Sequence, residues 1–220
     1  MVAQSSIEQT NIMFSLRQEK ELLYKKFLRE GKITDPRVLK SFLKVPREDF
    51  LPPDKKLYAY DDNPLPIGKG QTISQPTTVL LMLQWLEIKP GQKIMEIGAG
   101  SGYQAALLSH LVGQKGRIIA IEIIKELADT AQKNLRNYKN VTVLHHDGSQ
   151  GYQTESLYDR IIIAAAAPTF PVHLLKQLKK DGILLAPVGR EEQDMIRVRK
   201  GHLPENLGEF LFVPLTGKMS

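Results

Sequence analysis

Along residues 13–28 the apolar positions Phe14, Leu16, Leu22, Leu23, Phe27 and Leu28 fall loosely on one face among Lys, Arg and Glu, which predicts a helix. Thr34-Asp35-Pro36, a cap followed by a proline in the first turn, predicts a second helix running to about Val45. Between Pro46 and Pro76 the periodicity stops. That stretch is rich in proline, so regular structure is expected to be sparse there. Its apolar and aromatic members (Phe50, Leu51, Tyr58, Tyr60, Leu65, Ile67, Ile73) argue against disorder, and a long ordered loop is usually functional.

From Gln75 a regular alternation sets in. A helix over 75–86 precedes a strand at 93–97, a helix at about 101–111, a strand at 117–122, a helix at 124–137 and a strand at 141–145. Then come a strand at 159–164, a short helix at 170–178 and a strand at 183–187. Strand-like segments 195–199 and 207–213 follow without an intervening helix, which suggests a terminal antiparallel hairpin. Alternation of this kind implies a parallel sheet covered on both faces, and the continuous apolar run Ile161-Ile162-Ile163 suits such a strand. The expected fold is α/β and Rossmann-like: a doubly wound, mostly parallel sheet with a C-terminal antiparallel hairpin and an N-terminal helical extension. No internal repeat and no second domain is visible, so 1–220 reads as one domain.

Composition removes several classes of chemistry. There is no cysteine, which excludes disulfides, thiolate nucleophiles, Cys-based zinc sites and iron–sulfur clusters. The five histidines (110, 145, 146, 173, 202) form no ligand spacing, and no metal is expected. Lys and Arg exceed Asp and Glu by 30 to 24, a balance that permits nucleic-acid contact without requiring it. Glu8 and its polar neighbours stand where an export signal would need an apolar run, and the longest apolar stretch, 161–167, is too short to span a bilayer. A cytoplasmic protein without a membrane partner is expected.

The most informative local motif is Glu96-Ile97-Gly98-Ala99-Gly100-Ser101-Gly102, where a buried strand ends in three alternate glycines and a helix begins. Such glycines allow a sharp turn and let a ligand approach the main chain. Tyr103 stands where a dinucleotide fingerprint wants a small residue. Glu96 precedes the loop, where a carboxylate repels phosphate and suits a cationic or hydroxylated ligand. Glu122 ends the next strand, the usual place for a carboxylate that accepts from ribose hydroxyls, and Asp147 ends the third, placed to receive an adenine amino group. Three carboxylates at successive strand ends favour S-adenosyl-L-methionine, a nucleoside with a sulfonium charge and no phosphate. The alternative for Glu122 and Asp147 is that they cap the elements after them.

The segment Pro46-Arg47-Glu48-Asp49-Phe50, continued by Tyr60-Asp61-Asp62-Asn63-Pro64-Leu65-Pro66-Ile67-Gly68-Lys69-Gly70-Gln71-Thr72-Ile73-Ser74-Gln75-Pro76, resembles the protein-L-isoaspartate O-methyltransferase family. The resemblance runs on through Glu96–Gln104, Tyr158-Asp159, Ala165-Ala166-Ala167-Pro168, Pro187-Val188-Gly189 and Val213-Pro214-Leu215. It implies methyl transfer from S-adenosyl-L-methionine, leaving S-adenosyl-L-homocysteine, to the free α-carboxylate of L-isoaspartyl residues in damaged peptides and proteins. The ester then cyclises to a succinimide, which starts repair. It also implies Ser74 as the catalytic residue. Gln71, Thr72, Ile73, Glu96, Gly98, Gly100, Gly102, Glu122, Ile123, His146, Asp147 and Thr216 are the implied cofactor-binding positions, and Ile67, Gly70, Ser74 and Val213 the implied substrate contacts. On this basis 1–45 is an N-terminal helical segment, 46–76 a substrate or lid segment and 77–220 the cofactor-binding core of a monomer. Two positions depart from the family's pattern: His146 replaces a usual glycine, and Lys180-Asp181 replaces a common Pro-Gly in what is read as a surface turn.

Spacing alone leaves Ser74 open, because Ser-Gln-Pro before an apolar helical run is also a good N-cap. Lys69 is read as a solvated loop lysine, Trp85 as core, and Arg197–Lys200 as a strand with a solvated face. Two other functions stay in view: a methyltransferase acting on RNA or a small metabolite, and a non-catalytic adenosine-ligand or RNA-binding module. Aromatics do not interleave with the Lys/Arg clusters, so no nucleic-acid partner is expected.

Overall fold

The computed structural model describes residues 2–218, with side chains from residue 12 onward; the Glu8 side chain lies outside the described residues. The first helix is longer than its periodicity suggested: α1 spans Val2–Glu30. It buries Leu16, Leu23 and Phe27, spaced seven and four apart on one face. α2 (Pro36–Lys44) starts as expected, with the Asp35 carboxylate accepting the Arg37 amide at 2.8 Å and Pro36 in the first turn.

The proline-rich stretch is more structured than its sequence suggested. Two 3-10 turns, Arg47–Phe50 and Pro53–Tyr58, lead into a small antiparallel hairpin of β1 (Leu65–Gly68) and β2 (Gln71–Ile73). α3 (Pro76–Trp85) follows directly.

The main sheet has seven strands in the order β5-β4-β3-β6-β7-β8-β9. β3 (Lys93–Ile97), β4 (Arg117–Glu122), β5 (Val141–His145), β6 (Tyr158–Ile163) and β7 (Leu178–Gly189) pair in parallel; β8 (Gln193–Arg199) and β9 (Glu205–Phe210) add an antiparallel edge. α4 (Tyr103–Val112) and α5 (Lys125–Asn134) connect the first three strands. The expected doubly wound sheet and terminal hairpin are present. Alternate residues of one strand face opposite layers. Ile162 packs with Phe42, Leu80 and Leu107 on the helical side, whereas Ile161 and Ile163 pack with Leu174 and Leu215 on the other.

Three elements differ from expectation. Residues 172–177 form a 3-10 turn, not an α-helix, because β7 already begins at Leu178 and leaves no length for one. β7 carries a bulge where the expected surface turn lies: Tyr158 pairs with Leu178 but Arg160 with Ile183, and Asp181 takes a positive φ of 61°. The last strand stops at Phe210, and residues 211–215 leave it to lie beside the end of β6, where Ala166 exchanges backbone hydrogen bonds with Val213 and Leu215. Arg197 and Arg199 of β8 are paired with Glu87 and Glu205, and Trp85 meets Phe210 edge-on.

Candidate active site

The chain runs β3-β4-β5 in one direction and then returns to place β6 against the other side of β3. Order reverses there, and a crevice opens at the carboxyl ends of the strands. Gly98 follows β3 and Ala164 follows β6, joined by the Ala164 amide donating to the Ile97 carbonyl at 2.8 Å. Three adjoining cavities share Ala164 and Thr72. Each is roofed by a part of the Pro64–Gln75 segment. The roomiest described cavity lies elsewhere, among basic and amide side chains such as Arg117, Arg136 and Asn137, and holds none of the predicted site residues.

The glycine turn is built by its neighbours. The Gly98 and Ala99 amides both donate to the Ile121 carbonyl, at 2.9 and 3.0 Å, so the turn wraps the end of β4. Gly100 has φ +55° and faces the hairpin: a Cβ there would lie 3.1 Å from Ile67 Cδ1. Gly102, at φ +93°, is needed for packing rather than for approach of a ligand, since its Cβ would fall 2.7 Å from Leu135 Cδ1.

The carboxylates differ from one another. Glu96 is fully buried, lines the cavity that also contains Ser74 and Tyr103, and neither carboxyl oxygen has a hydrogen-bond partner. Burial pushes its pKa well above the ordinary carboxylate range, and the nearby Glu122 charge adds to the rise. Ser101 Oγ, the Tyr103 hydroxyl and Gln104 Nε2, on the same cavity wall, are likewise buried without partners. Glu122 accepts from the Gly100 amide at 2.8 Å and the Ile124 amide at 3.0 Å, and lines the second cavity with Gln71, Ile123 and Thr216. Its oxygens retain lone pairs for further donors. Asp147 accepts from the amides of Ser149 (2.9 Å) and Lys218 (3.0 Å). Partial burial opposes ionisation of Asp147, but these bonds hold its pKa below the usual range. It therefore caps the following 3-10 turn and ties down the C-terminal segment.

Ile67, Gln71, Thr72, Ile73, Ser74, Glu96, Gly98, Gly100, Glu122, Ile123, Val213 and Thr216 all line these cavities. Gly70, Gly102, His146 and Asp147 stand outside them. Gly70 is in the hairpin turn, and His146 packs edge-on against Tyr152 at 5.5 Å. Lys69 is exposed in the hairpin turn, as expected, and its ammonium pairs there with the exposed Glu126 in the first turn of α5.

Ser74 does not cap α3. The N-cap position is Gln75, without a side-chain cap of its own, and the Thr77 amide is held by Asp62 Oδ1 at 2.9 Å. No described hydrogen bond uses Ser74 Oγ, and Ser74 lines two of the three cavities. The capping residue was not recognised from sequence, because it lies fifteen positions before Thr77 and the capping rule looks only at immediate neighbours. Arg47, whose Nη1 donates to the Ser74 carbonyl at 2.9 Å, was missed for the same reason.

The residues fit a cationic nucleoside donor better than a phosphate ligand. A buried carboxyl with two unpartnered oxygens awaits a donor or a positive charge, and a second carboxylate flanks the turn where a pyrophosphate would be repelled.

Residues 17–220 match the family described as protein-L-isoaspartate(D-aspartate) O-methyltransferase (PCMT). The chain is 48% identical over 195 residues to a protein-L-isoaspartate O-methyltransferase of Methanosarcina mazei, covering 86% of this chain and 80% of that one. It is 47% identical to one of Methanococcoides burtonii, covering 84% and 94%. Among solved structures, a protein-L-isoaspartate O-methyltransferase superposes with a TM-score of 0.82 at 28% identity, over 91% of this chain and 67% of that one. A beta-aspartate methyltransferase (PCMT) from Plasmodium falciparum in complex with S-adenosyl-L-homocysteine gives 0.80 at 26%, over 90% and 98%. With the crevice, its carboxylates and these relatives together, the chain belongs to the protein-L-isoaspartate O-methyltransferase family, enzymes that methylate isoaspartyl residues from S-adenosyl-L-methionine.

Proposed function

We propose that the crevice between the β1–β2 hairpin, the 98–102 turn and the 211–216 segment holds the donor and the acceptor side by side, and that Ser74 aligns the free α-carboxylate of an L-isoaspartyl residue for methylation. The observation that carries this is the Ser74 hydroxyl, which is free of any capping duty and lines cavities on either side of Thr72.

When bound, S-adenosyl-L-methionine supplies an electrophilic methyl group on a cationic sulfur. On this reading Glu122 accepts from the ribose, Glu96 meets the positively charged end, and Gln71, Thr72, Ile73, Gly98, Gly100, Ile123 and Thr216 enclose the remainder. His146 and Asp147 act one step back, by holding the Tyr152 and C-terminal segments that border the adenine end. Gly70 acts as hairpin geometry and Gly102 as packing. Ile67 and Val213 flank the peptide.

An α-carboxyl group has a pKa of about 3.5, so the nucleophile is ionised at neutral pH and no general base is required. The work left to the protein is orientation and exclusion of water. Ser74 donates to one carboxylate oxygen and leaves the other in line with the methyl carbon. The start of α3, whose peptide dipoles present their positive end near Ser74, favours the same anion. The hairpin covers the reacting groups. The ester then permits closure to the succinimide, as the amide nitrogen of the following residue attacks the ester carbonyl and methanol leaves.

The same reading makes this a monomeric, cytoplasmic enzyme without a nucleic-acid partner, a single domain of helical segment, lid and cofactor core. No described helix is long and apolar enough to cross a membrane. The test supplies methyl-labelled donor with an isoaspartyl peptide, its normal aspartyl twin and bulk RNA. Base-labile label on the isoaspartyl peptide alone is expected; label on RNA or on the aspartyl twin would overturn the assignment.

A further inference from the structure

Behind Ser74 stands a cation with no described ion-pair partner; the Asp62 carboxylate, whose charge reaches it, is itself engaged by Thr77 and Lys26. Arg47 is fully buried, and among the described residues no carboxylate lies within ion-pair distance of it. Its Nη1 donates to the Ser74 carbonyl at 2.9 Å and its Nη2 to the Asn63 carbonyl at 3.4 Å. The guanidinium lies over the Tyr103 ring, 5.3 Å from the centroid, and Nε has no partner. Glu48, the adjacent acid, is taken up by the Tyr60 hydroxyl, whose oxygen also accepts the Arg47 amide.

A buried, unpaired charge is costly, and it is retained in folded proteins chiefly where another group compensates it. Carbonyl oxygens and a π face compensate part of a guanidinium's charge. The remainder is a positive potential behind Tyr103 and Ser74, which both line the cavity. Water, which would screen that potential, is excluded on the Arg47 side. The ligand chemistry that complements it is an anion at Ser74.

We propose that Arg47 is a positioning residue with two functions: it fixes the Ser74 main chain, and its buried charge selects an anionic acceptor over a neutral one. The proposal rests on the assignment of the Ser74 cavity to the acceptor carboxylate. Arg47 does not touch the reacting atoms. It acts through Ser74 and Tyr103: on turnover by holding the serine main chain in place, and on the choice of acceptor by its charge.

The experiment compares an isoaspartyl peptide with its α-carboxamide twin, which has the same shape and no charge, as ligands of the enzyme in the presence of S-adenosyl-L-homocysteine. Wild type is expected to prefer the carboxylate by about tenfold, a difference typical of a charge-assisted contact. Arg47→Met should reduce that preference to twofold or less while affinity for the carboxamide peptide is retained. A loss of folding would weaken both ligands together and could not produce this change in ratio. Arg47→Lys keeps the charge but cannot span both carbonyls, so it should keep the preference and lower kcat by tenfold or more. A full preference in Arg47→Met overturns the charge function, and wild-type kcat in Arg47→Lys overturns the positioning function. A preference lost in Ser74→Ala but intact in Arg47→Met leaves the Ser74 assignment standing without Arg47. A wild-type enzyme blind to the charge removes both.

Discussion

Asp62 accepts the Thr77 backbone amide at 2.9 Å and the Thr77 hydroxyl at 2.5 Å, and so performs the helix-capping role that the sequence around Ser74 suggested for the serine. Lys26 of α1 pairs with the same carboxylate at 3.0 Å, which ties the N-terminal helix to the start of α3. Capping and chemistry are thereby assigned to different side chains.

That separation predicts opposite behaviour in two variants. Asp62→Ala should cost about 1 kcal/mol of stability from the lost cap, with a smaller share from the partly buried Lys26 pair. Ser74→Ala should change stability by less than about 0.5 kcal/mol and lower turnover by one to two orders of magnitude. Chemical denaturation beside steady-state kinetics checks both. A serine variant that melts early and turns over normally would return Ser74 to a structural role.

Asp62 also makes a pH prediction. Burial opposes its ionisation, but the bonds from Thr77 and Lys26 outweigh that and depress its pKa in the folded state. Its contribution to stability is therefore complete above the ordinary carboxylate value and is lost as pH falls through the depressed one. Acid denaturation of Asp62→Ala should show a shallower loss in that range than wild type.

Much of the architecture was legible because it rests on local signals. Ile161–Ile163 announces a strand buried on both faces, and Asp35-Pro36 announces a helix start. The β1–β2 hairpin was not legible. Its strands are four and three residues long, one contains Pro66, and Leu65, Ile67 and Ile73 gain burial only from the core they meet in the folded chain. Within the site, the carboxylates at the ends of β3 and β4 converge as their strand positions suggested. Asp147 is the exception, since its partner Lys218 lies 71 residues away. Arg47 and Asp62 both act on the Ser74–Thr77 corner from earlier loops, a tertiary relationship that no local spacing encodes.

Glu96 should link cofactor binding to protonation. Its burial and the Glu122 charge keep it protonated well above the usual carboxylate range in the free enzyme. A positive group beside it favours the ionised form, so binding of S-adenosyl-L-homocysteine with its α-ammonium group at Glu96 should release up to about one proton and strengthen as pH rises. For the free protein the sign reverses: a carboxyl held protonated loses stability as pH rises from its unfolded to its folded pKa. Calorimetry in buffers of different ionisation enthalpy measures the release, and Glu96→Gln should abolish it. Equal proton release in that variant would assign the effect elsewhere.

Glu122 serves ligand and scaffold together. Glu122→Ala should weaken S-adenosyl-L-homocysteine binding by about 1–3 kcal/mol, because the ribose hydroxyls lose a charged acceptor. It should also destabilise the free protein, since the Gly100 and Ile124 amides lose their partner. Unchanged affinity by calorimetry would take Glu122 out of the binding role.

Lys69 reaches from the hairpin tip to Glu126 in an exposed ion pair. Lys69→Ala should leave KM for isoaspartyl peptide unchanged, because its charge is directed at α5 rather than at Ser74. A KM increase of tenfold or more would show that the lysine meets the substrate carboxylate.

The most direct test is a crystal structure of the enzyme with S-adenosyl-L-homocysteine and an isoaspartyl peptide. Glu122 should lie within hydrogen-bond distance of the ribose hydroxyls, and Ser74 Oγ within hydrogen-bond distance of the α-carboxylate, with the sulfur facing that carboxylate beneath the hairpin. A nucleoside bound away from the ends of β3 and β4, or an α-carboxylate out of reach of Ser74, would contradict it.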